Sequence, residues 1–353
     1  MPLLHEPESK KYRFLLYVEQ NYSFDILRPI QKHAKLLGHD IRWLLVGKDV
    51  SSHFLLDDEV LCTSIESAVK FEPDAVFVPG NKVPAFISGI KVQVFHGLNQ
   101  SKRGNVYPER GLFDLYCTEG PGRTSSLQSL AKNKEYFKVV ETGWVKLDSL
   151  FAQTNHLLVE KQSKTKPHIL FASTFSPSLS CAELVYEQIK QLSQTGEWHW
   201  LVTLHPKMIK ETVVKYRQLE SENLTFFYND KVIDMMHLAD VMVCDNSSIF
   251  QEFLLLNKPV VTVNNRDVQA SFINITNPEK LKPAIEMALS PTEKLMTEIN
   301  KYGSNITPYL DGESAPRILD AVIEMLQSNW KNNKPKNWFR NFKIRKSLGY
   351  WKF

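Results

Sequence analysis

The sequence predicts an α/β protein built from two tandem Rossmann-like, doubly wound domains, and three observations carry that prediction. Short β-rich runs alternate with helix-length segments in two successive series. A polar, lysine-rich stretch ending in Pro167 separates the series. The chain of 353 residues also exceeds the length at which a single hydrophobic core usually keeps growing.

The first series opens with a strand over residues 13–19, a helix over 26–37 closed by Gly38, and a strand over 40–46. Further strands are expected at 75–78, 91–95, 115–118 and 137–141, with helical connections between several of them. This is a Rossmann-like domain over residues 1–152. A linker follows over 153–167. The second series has strands at 168–172, 198–204, 224–227, 241–244 and 260–263, and helices at 278–289 and 315–326 close a second domain over 168–328. Two facing domains of this kind leave a cleft, with ligands at the carboxyl ends of the strands. A basic, aromatic tail occupies 329–353.

Composition narrows the function classes. A hydrophobic content of 43% supports packed cores rather than disorder. Cys62, Cys117, Cys181 and Cys244 lack C-x-x-C spacing, which argues against a disulfide framework and a zinc site. The amino terminus is polar and charged, without the order of a signal peptide, and no apolar run approaches the roughly 20 residues needed to span a bilayer. The expectation is a cytoplasmic protein. The net charge of +4 arises in the tail, where eight Lys or Arg and no acidic residue follow Trp330, leaving 35 basic against 39 acidic residues before it.

The strongest local pattern is residues 239–261, which read as strand, turn, helix and strand. Asp245, Asn246, Ser247 and Ser248 fall in the turn, where a helix amino terminus offers unpaired N–H groups to a phosphate. Glu252 follows within about one helical turn, suited to a ribose hydroxyl. The competing reading is plain capping, with Glu252 on a solvated face. His96 closes a β-rich run and precedes Gly97, which would let backbone approach a ligand, with Lys102 six residues on to offset phosphate charge. His205 has the same position in the second series, before Pro206 and Lys207. An imidazole suits proton abstraction from a hydroxyl. Either histidine alone could be structural; two at equivalent strand ends are harder to dismiss. Arg317, in Asp311-Gly-Glu-Ser-Ala-Pro-Arg, could clamp a phosphate or face solvent.

At these residues the chain resembles the CDP-glycerol glycerophosphotransferase family of teichoic acid and capsule synthesis. The resemblance is collinear over about residues 90–320. It rests on His96-Gly97-Leu98 with a displaced Lys102, Gly143 to Asp148, Leu204-His205-Pro206, Asp245 to Ser248, and Asp311 to Arg317. The family pattern has Thr at Leu98, Arg at Lys146 and Tyr at Asn246, and Ala315 and Pro316 alter the last motif. These departures bear on donor and acceptor identity. Residues 1–90 carry no specific motif.

The resemblance implies a GT-B-like fold and an enzyme that takes CDP-glycerol or a related CDP-alditol as donor. The acceptor hydroxyl, on a lipid-linked glycan, would attack the distal phosphorus and expel CMP. His96 is expected as the base. His205, Lys207, Ser247, Ser248 and Arg317 are expected to neutralise charge on the diphosphate without a metal ion or cofactor. The tail from Trp330 to Phe353 interleaves its cations with Trp338, Phe339, Phe342, Tyr350 and Trp351, which suits an anionic membrane surface. Nucleic acid is not expected as a partner, although a nucleic-acid-binding arm would share the charge pattern. Two other readings stand beside this one: a nucleotide-sugar glycosyltransferase or UDP-N-acetylglucosamine 2-epimerase-like enzyme, and a non-catalytic membrane- or nucleic-acid-binding protein.

Overall fold

A computed structural model describes residues 10–47, 50–98, 109–152, 165–227, 232–330 and 333–352. The chain forms two compact units, the first from residues 1–152 with 307–353 and the second from 153–306.

In chain order the first unit contains β1 (Arg13–Val18), α1 (Ser23–Leu36), β2 (Asp40–Leu45), α2 (Ile65–Phe71), β3 (Ala75–Val78), β4 (Ile90–Gln93), β5 (Leu115–Thr118), α3 (Pro121–Lys134), β6 (Lys138–Glu141) and α4 (Lys146–Phe151). The second unit contains β7 (His168–Ser173), α5 (Ala182–Thr195), β8 (His199–Leu204), α6 (Lys210–Arg217), β9 (Leu224–Phe226), α7 (Val232–Leu238), β10 (Val241–Cys244), α8 (Ile249–Leu255), β11 (Val260–Val263), β12 (Ile273–Ile275), α9 (Leu281–Leu289) and α10 (Glu293–Ile306). Two more helices, α11 (Ser314–Gln327) and α12 (Trp338–Leu348), return to the first unit.

Both sheets are six-stranded and wholly parallel, ordered β2-β1-β3-β4-β5-β6 and β12-β11-β10-β7-β8-β9. The central strands are apolar on both faces, as in β1, β3, β7 and β10, while polar residues enter the outer strands β2 and β6. In β1, Phe14, Leu16 and Val18 enter one core with α1, while Leu15 and Tyr17 enter the opposite core with Val76 and Val78 of β3. In the second unit, Ile169 and Phe171 of β7 pack with Val185 and Ile189 of α5 and Leu281 and Ile285 of α9. The order of strands reverses between β1 and β3 in the first sheet and between β7 and β10 in the second. Open α/β sheets bind ligands outside the carboxyl ends of the strands at such switch points.

The expected second domain, 168–328, ends earlier than the sequence suggested. Helix α11 buries Ala315, Ile318, Leu319, Val322 and Met325 in the core that β1 and α1 share. Each large aliphatic side chain so buried contributes roughly 1.5–3 kcal/mol, which is why the helix leaves its sequence neighbours. The amphipathic pattern shows that a helix has a partner but not which partner. The sequence reading also omitted β12 and α10. Most of the expected linker, 153–164, lies outside the described residues.

Residues 329–353 are likewise no separate tail. Trp330 Nε1 lies 3.3 Å from Asp114 Oδ1, and Lys334 forms a largely buried ion pair with the same carboxylate. Asn337 donates to the carbonyls of Arg110 and Gly111, each at 3.0 Å. Tyr350 stacks on Phe86 and Lys352 pairs with Glu66. These contacts seat α12 while leaving Trp338 75%, Phe339 87% and Phe342 56% exposed.

Candidate functional site

The two expected histidines stand beyond the carboxyl ends of strands in different units, and their surroundings differ. In the first unit β4 ends at Gln93, two residues before its expected end, because Phe95 turns into the left-handed region at φ 56°. Such backbone in a bulky residue costs of order 1 kcal/mol or more and persists only where neighbours enforce it. Here Arg123 lies over the Phe95 ring at 4.1 Å and donates to the Gly97 carbonyl at 3.1 Å. Its guanidinium is held by Glu119, 3.2 Å away, in a buried ion pair. Trp144 Nε1 lies 3.5 Å from the Phe95 carbonyl.

This frame turns His96 so that Nδ1 lies 2.9 Å from the Pro79 carbonyl and the ring stacks on Tyr22 at 5.4 Å. A carbonyl can only accept, so Nδ1 carries the proton and the neutral ring has its lone pair on Nε2. Among the described residues a Cβ at Gly97 would meet no atom within 4 Å. Lys102 lies outside the described residues.

In the second unit His205 has the opposite arrangement. Its Nδ1 accepts from the Lys207 backbone N–H at 3.0 Å, which leaves the proton of the neutral ring on Nε2. Burial, and then the Lys207 charge, hold its pKa below the ordinary histidine value, so the neutral form is favoured. The ring packs on Phe175 at 4.4 Å, and the Lys207 ammonium lies 5.9 Å from that same ring.

The turn after β10 divides the expected donor-binding residues. Asp245 is fully buried, and its carboxylate accepts from Ser173 Oγ at 2.6 Å and from the backbone N–H groups of Thr174, Cys181 and Ser247. Asn246 bridges the carbonyls of Leu179 and Asn264 and accepts from the Arg266 N–H. These two side chains tie the loops after β7, β10 and β11 together. In this structure both side chains are engaged in positioning these loops. Ser247 and Ser248 remain: Ser248 is exposed at the start of α8 and makes no side-chain capping bond. Glu252 is buried within α8 rather than solvated.

Arg317 lies in the first unit, whereas Lys207, Ser247, Ser248 and Glu252 lie in the second. It pairs with Asp311, donates to the Thr142 carbonyl at 3.2 Å and covers the Tyr309 ring. The 143–148 and 311–317 motifs form one joint. Asp148 accepts from the backbone N–H groups of Ser314 at 3.0 Å and Ala315 at 2.6 Å, which caps α11. Gly143, at φ 83°, leaves space in which a Cβ would sit 2.6 Å from Ser314 Oγ. Sequence reasoning missed Glu19, Tyr22 and Arg123 around His96, and Ser173 and Thr174 around Asp245. Glu19, Tyr22 and Thr174 follow the carboxyl ends of β1 and β7 and Ser173 ends β7, the signal that had singled out the two histidines, whereas Arg123 lies in α3 and carried no such signal. Among the described residues no group of three or more His, Cys, Asp or Glu is arranged to hold a metal ion.

Residues 115–323 match the family model described as UDP-N-acetylglucosamine 2-epimerase. The teichoic acid poly(ribitol-phosphate) polymerase of Bacillus spizizenii is 22% identical over 216 residues, covering 52% of this chain and 33% of that protein. The teichoic acid glycerol-phosphate primase of Bacillus subtilis is 25% identical over 174 residues, covering 46% of this chain and 44% of that protein. The chain thus spans less than half the length of each curated relative. The solved structure of the wall teichoic acid polymerase TagF aligns over 92% of this chain and 91% of its own at a TM-score of 0.66 and 14% identity, a likeness of fold. The fold is GT-B-like, and both curated relatives are teichoic acid enzymes by name, in line with the glycerophosphotransferase resemblance of the five motifs. The family model covers more than half of the chain, from β5 through most of α11, and the chain belongs to the UDP-N-acetylglucosamine 2-epimerase family.

Proposed function

We propose that the protein transfers glycerol phosphate, or a related alditol phosphate, from a CDP-linked donor to an acceptor hydroxyl on a lipid-linked glycan, releasing CMP. The observation that carries this reading is the opposite tautomers of the two histidines. His96, with its Nε2 lone pair, is suited to take the proton of the attacking hydroxyl. His205, with Nε2–H, is suited to donate to a phosphate oxygen. The acceptor oxygen forms a bond to the distal phosphorus, and the phosphorus–oxygen bond to CMP breaks with its electron pair leaving on CMP. Lys207, Ser247 and Ser248 would join His205 on the diphosphate, and Glu252 would take a ribose hydroxyl. Asp245 and Asn246 hold the loops that carry these groups.

The test is incubation with a panel of CDP-alditols and nucleotide sugars, reading which nucleotide is released. CMP from a CDP-alditol supports the proposal. The family match favours a second reading, a nucleotide-sugar transferase or 2-epimerase, which release of UDP or epimerisation of the sugar would support instead.

The same reading includes peripheral attachment to the inner face of the cell membrane. No described helix is long and apolar enough to cross a bilayer. The exposed aromatic face of α12, with exposed Lys336, Lys343 and Lys346 around it, supports binding to an anionic lipid surface.

A further inference from the structure

We infer that Glu19, seated against Gly80 at the switch point between β1 and β3, forms the subsite that recognises a hydroxyl-bearing acceptor, a polyol or the end of a glycan. This rests on the proposed transfer reaction and names the acceptor half of its site.

Four observations lead there. Glu19 is the first residue after β1, and Pro79 and Gly80 are the first two after β3, so all three lie where the strand order reverses. A Cβ on Gly80 would lie 2.3 Å from Glu19 Oε2, so the glycine leaves the notch that the carboxylate fills. The Pro79 carbonyl, one residue away, receives His96 Nδ1, and Tyr22, three residues after Glu19, stacks on the His96 ring. The carboxylate therefore stands on the same two segments, 19–22 and 79–80, that hold the proposed base. Finally, among the described residues no protein hydrogen bond reaches the carboxylate of this half-buried residue, which leaves its oxygens available to a ligand.

The occupant follows from the chemistry. An ionised carboxylate repels a phosphate and accepts from O–H groups, and its two oxygens suit two neighbouring hydroxyls. Holding one hydroxyl on Glu19 would present another to His96. Burial pushes the Glu19 carboxyl up, while the Lys82 charge acts in the opposite direction. A carboxyl with a raised folded-state pKa opposes folding when ionised at neutral pH, so removing its charge should leave the protein as stable or more so. A side chain retained only for stability would behave in the opposite way.

The experiment compares the full chain with Glu19→Ala, Gly80→Ala and the double variant. Gly80→Ala displaces the carboxylate at the flexible end of its side chain while leaving Glu19 in place. Saturation-transfer NMR with glycerol, sn-glycerol 3-phosphate and methyl β-D-glucopyranoside reads binding without turnover. Where the donor panel yields CMP, the acceptor KM is measured as well. The expected result is a probe signal in the parent that falls at least fivefold in both single variants and no further in the double. The acceptor KM should rise about tenfold or more, with CDP-alditol affinity within twofold and an unchanged or raised Tm. No probe signal in the parent, equal signals in the variants, additive losses, or a lower Tm with parallel loss of donor affinity would overturn the subsite. Failure of every CDP-alditol to react, with the NMR differences intact, would instead count against the transfer reaction alone.

Discussion

At the scale of single residues, the two histidines are distinguished by what their Nδ1 atoms meet. His96 meets a carbonyl and His205 a backbone N–H, so similar sequence positions acquire different acid–base properties. If His96 is the base, His96→Ala should lower turnover by about two or more powers of ten while donor affinity, read by calorimetry, changes little. Near-normal turnover would remove it from the mechanism. His205 permits a test that needs no substrate. Its pKa is lowered by burial and by the Lys207 charge, so Lys207→Ala should move the imidazole titration upward in NMR. No upward movement would mean that the charge does not act on the ring. Both histidines were legible in the sequence as strand-end residues. Their tautomers were not, because Pro79 lies 17 residues from His96 and only the pairing of β3 with β4 brings the two together.

At the scale of elements, the joint between α4 and α11 explains two motifs without any ligand. Asp148 closes the amino terminus of α11 from 166 residues away in sequence. Asp148→Ala should cost about 1–2 kcal/mol by loss of the cap, with faster amide exchange at the start of α11 and CDP-alditol affinity unaltered. Exchange that stays slow would show that aliphatic packing alone holds the helix. The start of α8 differs, since Ser248 is not spent on capping. Ser248→Ala and Glu252→Ala should each weaken CDP-glycerol binding in calorimetry, through the diphosphate and the ribose. Unchanged affinity in both would put the nucleotide elsewhere. The capping alternative for this turn does not hold: no side chain caps α8, Glu252 is buried, and Asp245 binds loops together instead. Composition alone could not separate Asp245 from the serines, because Asp, Asn and Ser all favour turns for related reasons.

At the scale of the whole molecule, the carboxyl-terminal 47 residues are part of the first unit. The buried Asp114–Lys334 pair and Asn337 seat α12 so that Trp338, Phe339 and Phe342 face outward together, and Phe342 meets Trp351 at 5.4 Å. Removing the whole segment would also uncover the surface it packs on, so surface substitutions are the cleaner probe. Trp338→Ser, Phe339→Ser and Phe342→Ser combined should reduce sedimentation with anionic liposomes at least tenfold and leave Tm nearly unchanged. Lys336, Lys343 and Lys346 would each add about 1 kcal/mol near such a surface, so binding should also weaken with salt. Equal pelleting of both proteins, or a loss confined to a nucleic-acid competitor, would sink the membrane partner.

The sequence by itself determined the class of fold, most strands of both sheets, and the strand-end positions of His96 and His205. These follow from near-neighbour chemistry: apolar runs, punctuating Gly and Pro, and turn-forming polar residues. Only the tertiary structure decided that α11 and α12 return to the first unit, which chain segments Asp245, Asn246 and Arg317 bond to, and that Glu19 stands beside Gly80. Each of these depends on residues far apart in the chain meeting across parallel strands or a packed helix face. A local pattern shows that a polar group will be satisfied or an apolar face buried, and the fold selects the partner.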